Sequence, residues 1–180
     1  MTSSGPTVCA VVSCGGKKQD LDPGESVPAR ELYTSSVHVC KNRYGRHSDG
    51  YYIMSAEYGL VRHDTEIAWY DRTLDDIPDL AVRAWGSSVA RELRPVLWHG
   101  NYDAVVFIGG ETYVGALEPH IDELPADVLT PWQTDDYVTG VVRGMAWCND
   151  ESNSPENVDS IRDIGTVVSR KGTFVRGGRP

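Results

Sequence analysis

The stretch TVCAVVSCGGKK, Thr7 to Lys18, decides the fold. Its first part, Thr7–Ser13, is a β-branched run with no polar alternation, the pattern of a strand covered on both faces. Its second part breaks into Ser13, Cys14, Gly15, Gly16, Lys17 and Lys18, so a buried strand ends on a loop able to hold a ligand. Two more apolar runs, Tyr51–Met54 and Ala104–Ile108, read as buried strands, and Asp127–Leu129 is a weaker fourth.

Helical periodicity lies between them. From Pro78 to His99, Leu80, Ala84, Trp85, Val89, Leu93, Val96 and Leu97 recur at intervals of three to five residues. Asp75 and Asp76 are candidate caps, Gly86 weakens the middle, and Pro95 is expected to kink or end the helix. Further helices are expected over Ala29–Tyr44, Thr112–His120 and Asp136–Cys148, the last with Val138, Val141, Val142 and Met145 on one stripe. Alternating strands and helices predict a single layered α/β domain with a largely parallel central sheet flanked by helices, over residues 1–149. Residues 150–180 read as a linker, NDESNSPEN, and a C-terminal extension. That extension holds a candidate hairpin around Arg170–Gly172 and a frayed GGRP end.

With 180 residues, 40% hydrophobic and 24% charged, the chain has material for one sizeable core. It has no apolar run long enough to span a membrane, and MTSSGPT lacks the basic start and apolar centre of a signal peptide, so a cytoplasmic protein is expected. Cys9, Cys14, Cys40 and Cys148 are too scattered for a disulfide scaffold and form no C-x-x-C pair; they read as reduced thiols. Net charge is −9, and 13 of the 17 basic residues are arginine. Such an acidic surface argues against diffuse binding to a polyanion, so any nucleic-acid contact must be local.

Ligands of α/β sheets lie beyond the carboxyl ends of the strands, and three unusual loops follow the three best strands. In SCGGKK, the glycines let backbone approach a ligand, while the Ser13 hydroxyl, backbone N–H groups and the ammonium groups of Lys17 and Lys18 suit an anion. The spacing is not that of a Walker loop, and a glycine turn with solvated lysines fits as well. Cys14 reads as a nucleophile only if a base lies near it, which sequence cannot locate; otherwise it fills a strand end. His38 and Cys40, two apart on a helix, point in different directions and read as packing rather than a metal pair. In SAEYGLV, Glu57 is a candidate general base or ribose ligand and Tyr58 a candidate stacking ring, beside Ser55 and the turn residue Gly59. AWYDRTL sets Trp69 and Tyr70 beside Asp71, Arg72 and Thr73, a mixture found in recognition loops and equally in a Tyr-anchored turn. In GGETY, Gly109 and Gly110 turn the chain and Glu111 either caps a helix or reaches a sugar hydroxyl.

Five motifs in order resemble a family. They are V-S-C followed by lysines, P-A-R-x-L-Y-x-S, S-A-x-Y-G-L, Y-D-x-T-L and G-E-x-Y, within Val8 to Trp147. This set is similar to that of small bacterial, archaeal and phage proteins labelled YaaA-like or peroxide-stress-like. The positions that match are Ser13, Cys14, Lys17 and Lys18; Ala29, Arg30, Leu32, Tyr33 and Ser35; Ser55, Tyr58, Gly59 and Leu60; Tyr70, Asp71, Thr73 and Leu74; Gly110, Glu111 and Tyr113. The chain departs at Gly16, where that family carries a third lysine, and around Gly140, Arg143, Gly144 and Trp147, which replace its closing glutamine- or arginine-containing pattern. The resemblance implies DNA binding and oxidative damage, and the serine-cysteine-lysine loop is similar in outline to one in archaeosine synthase; both imply a base or nucleotide as ligand.

The resulting expectation is an enzyme that processes a nucleotide or nucleic-acid base, cleaving or exchanging an N-glycosidic bond without metal or cofactor. Asp71, Glu111 and Glu57 are the candidate catalytic carboxylates. The candidate ligand-binding set is Ser13, Cys14, Gly15, Lys17, Lys18, Arg30, Tyr33, Ser55, Tyr58, Gly59, Tyr70, Thr73, Gly110 and Tyr113. Lys17, Lys18 and Arg30 are assigned to phosphate, and Tyr58 and Tyr70 to the base. The alternative is a non-catalytic DNA-binding or damage-response protein using the same loops. The density of carboxylates beside the lysines favours the enzyme, since a pure phosphate binder avoids them.

Overall fold

The computed structural model describes residues 5–133 and 140–158 and the strand residues 167–168 and 174–175. The Thr7–Ser13 run forms β1 (Val8–Ser13), in which every residue is buried. After it come β2 (Ser26–Pro28), α1 (Ala29–Leu32), α2 (Ser36–Arg46), β3 (Gly50–Ser55), β4 (Gly59–Arg62) and β5 (Glu66–Ala68). The second half contains α3 (Asp79–Gly100), β6 (Ala104–Ile108), α4 (Glu111–Gly115), β7 (Asp127–Leu129), α5 (Gly140–Asn149), β8 (Val167–Val168) and β9 (Phe174–Val175).

The main sheet runs β4-β3-β1-β6-β7-β8-β9. Its centre is parallel: β1 pairs with β3 (Ser13 opposite Met54) and with β6 (Val12 opposite Ile108), and β6 pairs with β7. Antiparallel β4, β8 and β9 extend the two sides. The predicted α/β class with a largely parallel sheet is thus the fold. Helix α2 covers β1 and β3, and α5 lies on α2. The core is built on β1 and β6, with Phe107, Ile53, Leu93 and Leu97 fully buried. Each such side chain contributes about 2–3 kcal/mol by leaving water.

Several elements differ from the sequence expectation. The helix expected over Ala29–Tyr44 is broken at Tyr33–Ser35, because the SCGGKK loop takes this backbone into its own hydrogen bonds. Gln19 N–H donates to Leu32 O (2.8 Å), Thr34 N–H donates to Lys17 O (3.0 Å), and Lys18 and Tyr33 form an antiparallel bridge. Ser35 then restarts the helix, its hydroxyl accepting from His38 N–H. Pro95 does not end α3, which runs on past it to Gly100. Pro95 and Arg91 are both exposed, so the Arg91 carbonyl left without a helical donor faces water.

Asp75 and Asp76 do not cap α3; they lie in a 3-10 turn, Leu74–Asp76, capped by Thr73, and Pro78 precedes the helix without a side-chain cap. Gly86 is a packing residue, since a Cβ there would lie 2.1 Å from Ala116 O. The helix expected over Thr112–His120 is α4 followed by a 3-10 segment, Glu118–Glu123. On α5, Val142 is 80% exposed and leaves the expected stripe, whereas Met145 packs against the core as expected, and Gly144 and Cys148 also face inward. Val138 lies outside the described residues.

SAEYGLV is the turn of a β3–β4 hairpin, and β2 pairs with β5 in a small second sheet. NDESNSPEN is not an open linker: it forms two 3-10 turns, Glu151–Asn153 and Pro155–Asn157, with Pro155 and Val158 buried. Val167 and Val168 pair with Val175 and Phe174, and Val167 with Leu129, so the tail adds strands to the main sheet. Arg170–Gly172 and the GGRP end lie outside the described residues. No helix among the described residues is long and apolar enough to cross a membrane.

Candidate functional site

Beyond β1 the chain passes through α2 to β3 on one side, while beyond β6 it goes on to β7 on the other. Loops that leave neighbouring parallel strands in opposite directions open a crevice at their carboxyl ends, the usual ligand position in such sheets. SCGGKK and GGETY border this crevice, and the thiol of Cys14 crosses it to donate to the Tyr113 hydroxyl at 3.2 Å. Gly109 lets the two loops close: a Cβ on it would lie 2.7 Å from Ser13 Cβ. A Cβ on Gly16 or Gly110 would meet nothing within 4 Å, so both glycines face open space.

A chain of hydroxyls joins the other loops to this point. Tyr33 and Tyr70 share a 2.8 Å hydrogen bond, and Ser55 Oγ donates to the Tyr70 hydroxyl at 3.0 Å. Ser55 Oγ also accepts from the N–H groups of Glu57 and Tyr58, which fixes the hairpin turn; Gly59 follows with φ 71°, a conformation glycine adopts without strain. Burial, then the neighbouring Cys14, pushes the Tyr70 phenol far above its ordinary range, and burial does the same to Tyr33 and Tyr113. All three are therefore neutral donors at physiological pH. Above the Tyr70 ring, 4.3 Å from its centroid, sits the Lys18 ammonium, a cation–π contact. Tyr58, 40% exposed, meets Tyr70 edge-on at 5.6 Å.

The four loops thus meet at one edge of the sheet, but not every expected residue takes its expected part. Tyr70 is 6% exposed with Lys18 over its ring, so it holds the site together and offers no face for stacking. Tyr33 is likewise buried. Arg30 does not reach the edge: its backbone pairs with His63 and its guanidinium contacts His63 Nδ1 (3.3 Å) and Glu31 (3.0 Å). His63 pairs with Tyr51 at the start of β3, away from Ser55 at its end. Glu57, Asp71 and Glu111 are all exposed around the rim, and Glu57 is paired with Arg72 at 3.3 Å. Lys17 is exposed, and Thr73 caps the 3-10 turn that leads to α3.

Sequence reasoning missed the floor of the site. Lys41 on α2 is fully buried and donates to Ser13 O (2.6 Å) and Ser13 Oγ (3.0 Å). Burial pulls its amine down to about 8, partly opposed by the thiols of Cys14 and Cys148. Beside it, His38 is completely buried against the Tyr33 ring (4.8 Å), and neither ring nitrogen has a hydrogen-bond partner. Burial first, then Lys41, lowers the imidazole to about 3, while the nearby Ser13 backbone weakly favours the protonated form. The signal lay in spacing: His38, Lys41 and Gly45 fall at i, i+3 and i+7, one face of α2, and all three are buried. Trp85, whose indole donates to Ser55 O at 2.9 Å, and Gln133, which donates to Gly109 O at 2.8 Å, were also unassigned and hold the ends of β3 and β6.

No curated protein and no solved structure matches the chain. A family model does match, over residues 9–137, a span that runs from β1 through every loop of this edge. By that match the chain belongs to DUF6884, a family of unknown function.

Proposed function

We propose that the protein binds a nucleotide, or one nucleotide unit of a nucleic acid, across the β1–β6 crevice and cleaves or exchanges its N-glycosidic bond. The observation that carries this reading is the convergence of Lys18, the open glycine loops, the half-exposed Tyr58 ring and a rim of carboxylates on one sheet edge. The motif resemblance to YaaA-like proteins supports a base or nucleotide as the ligand. Lys17 and Lys18 take the phosphate, and the backbone at Gly15, Gly16 and Gly110 lies within its reach. Tyr58 stacks on the base. Asp71 or Glu111 supplies the negative charge that stabilises an oxocarbenium-like sugar as the base departs, and water or a second base then attacks the sugar. Glu57 takes the lesser part because Arg72 already neutralises it.

The test is release of free base from nucleotides, nucleosides and single- and double-stranded DNA by wild type, Asp71→Asn and Glu111→Gln. Loss of about a hundredfold in kcat/KM, about 3 kcal/mol, with binding retained assigns the chemistry to the carboxylate removed. Tight DNA binding by wild type without base release from any substrate favours the non-catalytic alternative. The charge of −9 weighs against that outcome for duplex DNA.

A further inference from the structure

We infer that the ligand of this edge is a single-stranded nucleic acid rather than a free mononucleotide, and that the indole of Trp69 holds the base next to the one on Tyr58. The inference rests on the nucleotide reading above and fixes the class of substrate for it.

Of the two aromatics in AWYDRTL, Tyr70 is buried and Trp69 is 50% exposed. Trp69 is no part of the core and pairs with no other ring among the described residues. The other tryptophans behave differently. Trp85 and Trp147 pack against the core, and Trp132 is buried. Trp98 is 71% exposed, but it lies in the last turn of α3, where the chain enters β6, at the opposite end of the sheet from the crevice. Trp69 is therefore the open indole at the candidate site, and tryptophan is a residue that sites use as a large, flat anchor.

Both neighbours of Trp69 hold it in place. Ala68 ends β5 and is paired with Ser26 of β2, while Tyr70 is hydrogen-bonded to Tyr33 and Ser55. Tyr58 touches each of these neighbours: its hydroxyl donates to Ala68 O at 3.4 Å, and its ring meets Tyr70 edge-on at 5.6 Å. The Tyr58 ring thus stands beside the short step of chain that carries Trp69, consecutive Cα atoms being about 3.8 Å apart. The two exposed rings form no pair with each other, so each offers a face of its own. With the Lys18 ammonium over the intervening Tyr70, they match two successive bases of a strand and the phosphate between them. A mononucleotide fills only one of the two rings. Because the backbone on either side of Trp69 is already tied down, little ordering is left to be done when a strand binds.

Charge selects a single strand over a duplex. At this edge Lys17, Lys18 and Arg72 stand among Glu57, Asp71 and Glu111, and Arg72 is taken up by Glu57 at 3.3 Å. The chain as a whole carries −9. Counterion release therefore supplies little affinity, and stacking must supply the rest. Unpaired bases present free faces to aromatic side chains, whereas in a duplex each face is covered by the next base pair.

Calorimetric titration of the full chain tests this. The probes are the four deoxynucleoside monophosphates, single-stranded hexamers of deoxyadenosine, deoxycytidine and thymidine, the corresponding ribonucleotide hexamers, and a short DNA duplex. At least one hexamer is expected to bind about tenfold more tightly than its own monophosphate, and Trp69→Ala should remove that gain while changing monophosphate affinity far less. Tyr58→Leu should weaken monophosphate and hexamer alike. The deoxy and ribo series tell whether the strand is DNA or RNA. If Trp69→Ala does not fold, Trp69→Leu, which keeps apolar bulk without a flat face, takes its place with the same expected result. The inference is overturned if no hexamer binds more tightly than its monophosphate, if the duplex binds as tightly as the single strands, or if Trp69→Ala weakens monophosphate and hexamer equally, which would place one base between the two rings. Each of those results leaves the nucleotide reading standing. Absence of binding by every monophosphate and every strand removes that reading, and this inference with it.

Discussion

Removing one oxygen from Tyr70 tests whether the hydroxyl chain beneath the crevice supports the site. In Tyr70→Phe the ring, its edge contact with Tyr58 and the Lys18 contact above it keep their shape. Two hydrogen bonds disappear, the 2.8 Å bond to Tyr33 and the 3.0 Å bond from Ser55. Ser55 Oγ still accepts from the Glu57 and Tyr58 N–H groups, so its loss is that of one donor hydrogen. The Tyr33 hydroxyl, in a residue 3% exposed, loses the partner it had. A neutral bond contributes about 1 kcal/mol net, and a buried group left unsatisfied costs about 1–3 kcal/mol, so a destabilisation of about 2–3 kcal/mol is expected. For a chain of this size each kcal/mol lowers Tm by about 2–4 °C, giving a drop of roughly 5–10 °C.

The double variant Tyr33→Phe/Tyr70→Phe removes both ends of the short bond and leaves no orphaned phenol between them. Its loss should therefore fall below the sum of the single losses by about 1 kcal/mol. Urea unfolding followed by circular dichroism measures all four proteins. A Tyr70→Phe loss below about 0.5 kcal/mol, with the two substitutions strictly additive, would refute the claim that this hydroxyl chain supports the edge.

Gly86→Ala gains about 1 kcal/mol of helix propensity but drives a Cβ to 2.1 Å from Ala116 O. Net destabilisation of about 1–3 kcal/mol in urea is expected, and a stabilised protein would contradict the packing. His38, ordinarily near 6.5 in the unfolded chain and about 3 when folded, binds a proton more readily after unfolding. The stability of the wild type should therefore fall as pH drops from 6.5 towards 3, and His38→Leu should fall less steeply over that window in urea titrations at fixed ionic strength. Lys17→Ala/Lys18→Ala should bind phosphate-bearing ligands more weakly and with a shallower salt dependence, at little cost in stability; unchanged affinity and slope would return this loop to a plain turn.

How much was legible depended on whether burial and hydropathy agree. They agree in β1 and β6, where continuous apolar runs are buried on both faces, so strand class and sheet direction could be read before any coordinate. They disagree in α2. Val39 is 54% exposed there, while His38 and Lys41 are fully inside, because the face of α2 that meets β1 must also close the polar end of the strand at Ser13. A hydropathy stripe assigns the valine to the core and the lysine to solvent, and both assignments fail for that one reason. Short strands fail differently. β2, β4 and β5 are three or four residues long, too brief for a period; β4 exists because the chain turns back before Gly59, and β2 and β5 because they pair with each other across some forty residues.

The two kinds of failure lie at one place. The hairpin carries Ser55 and Tyr58 to the crevice, the pairing of Lys18 with Tyr33 breaks the long helix, and that break lets Ser35 begin α2 in the register that aims Lys41 at Ser13. Had the helix run unbroken from Ala29 to Tyr44, no β-type bridge would hold Tyr33 to Lys18, and the Lys18 ammonium would not be tied above the Tyr70 ring. The local sequence at Tyr33–Ser35 is compatible with helix, so the break is imposed by the loop that follows β1. At Tyr33–Ser35 a local preference for helix yields to the tertiary hydrogen bonds of the loop that follows β1.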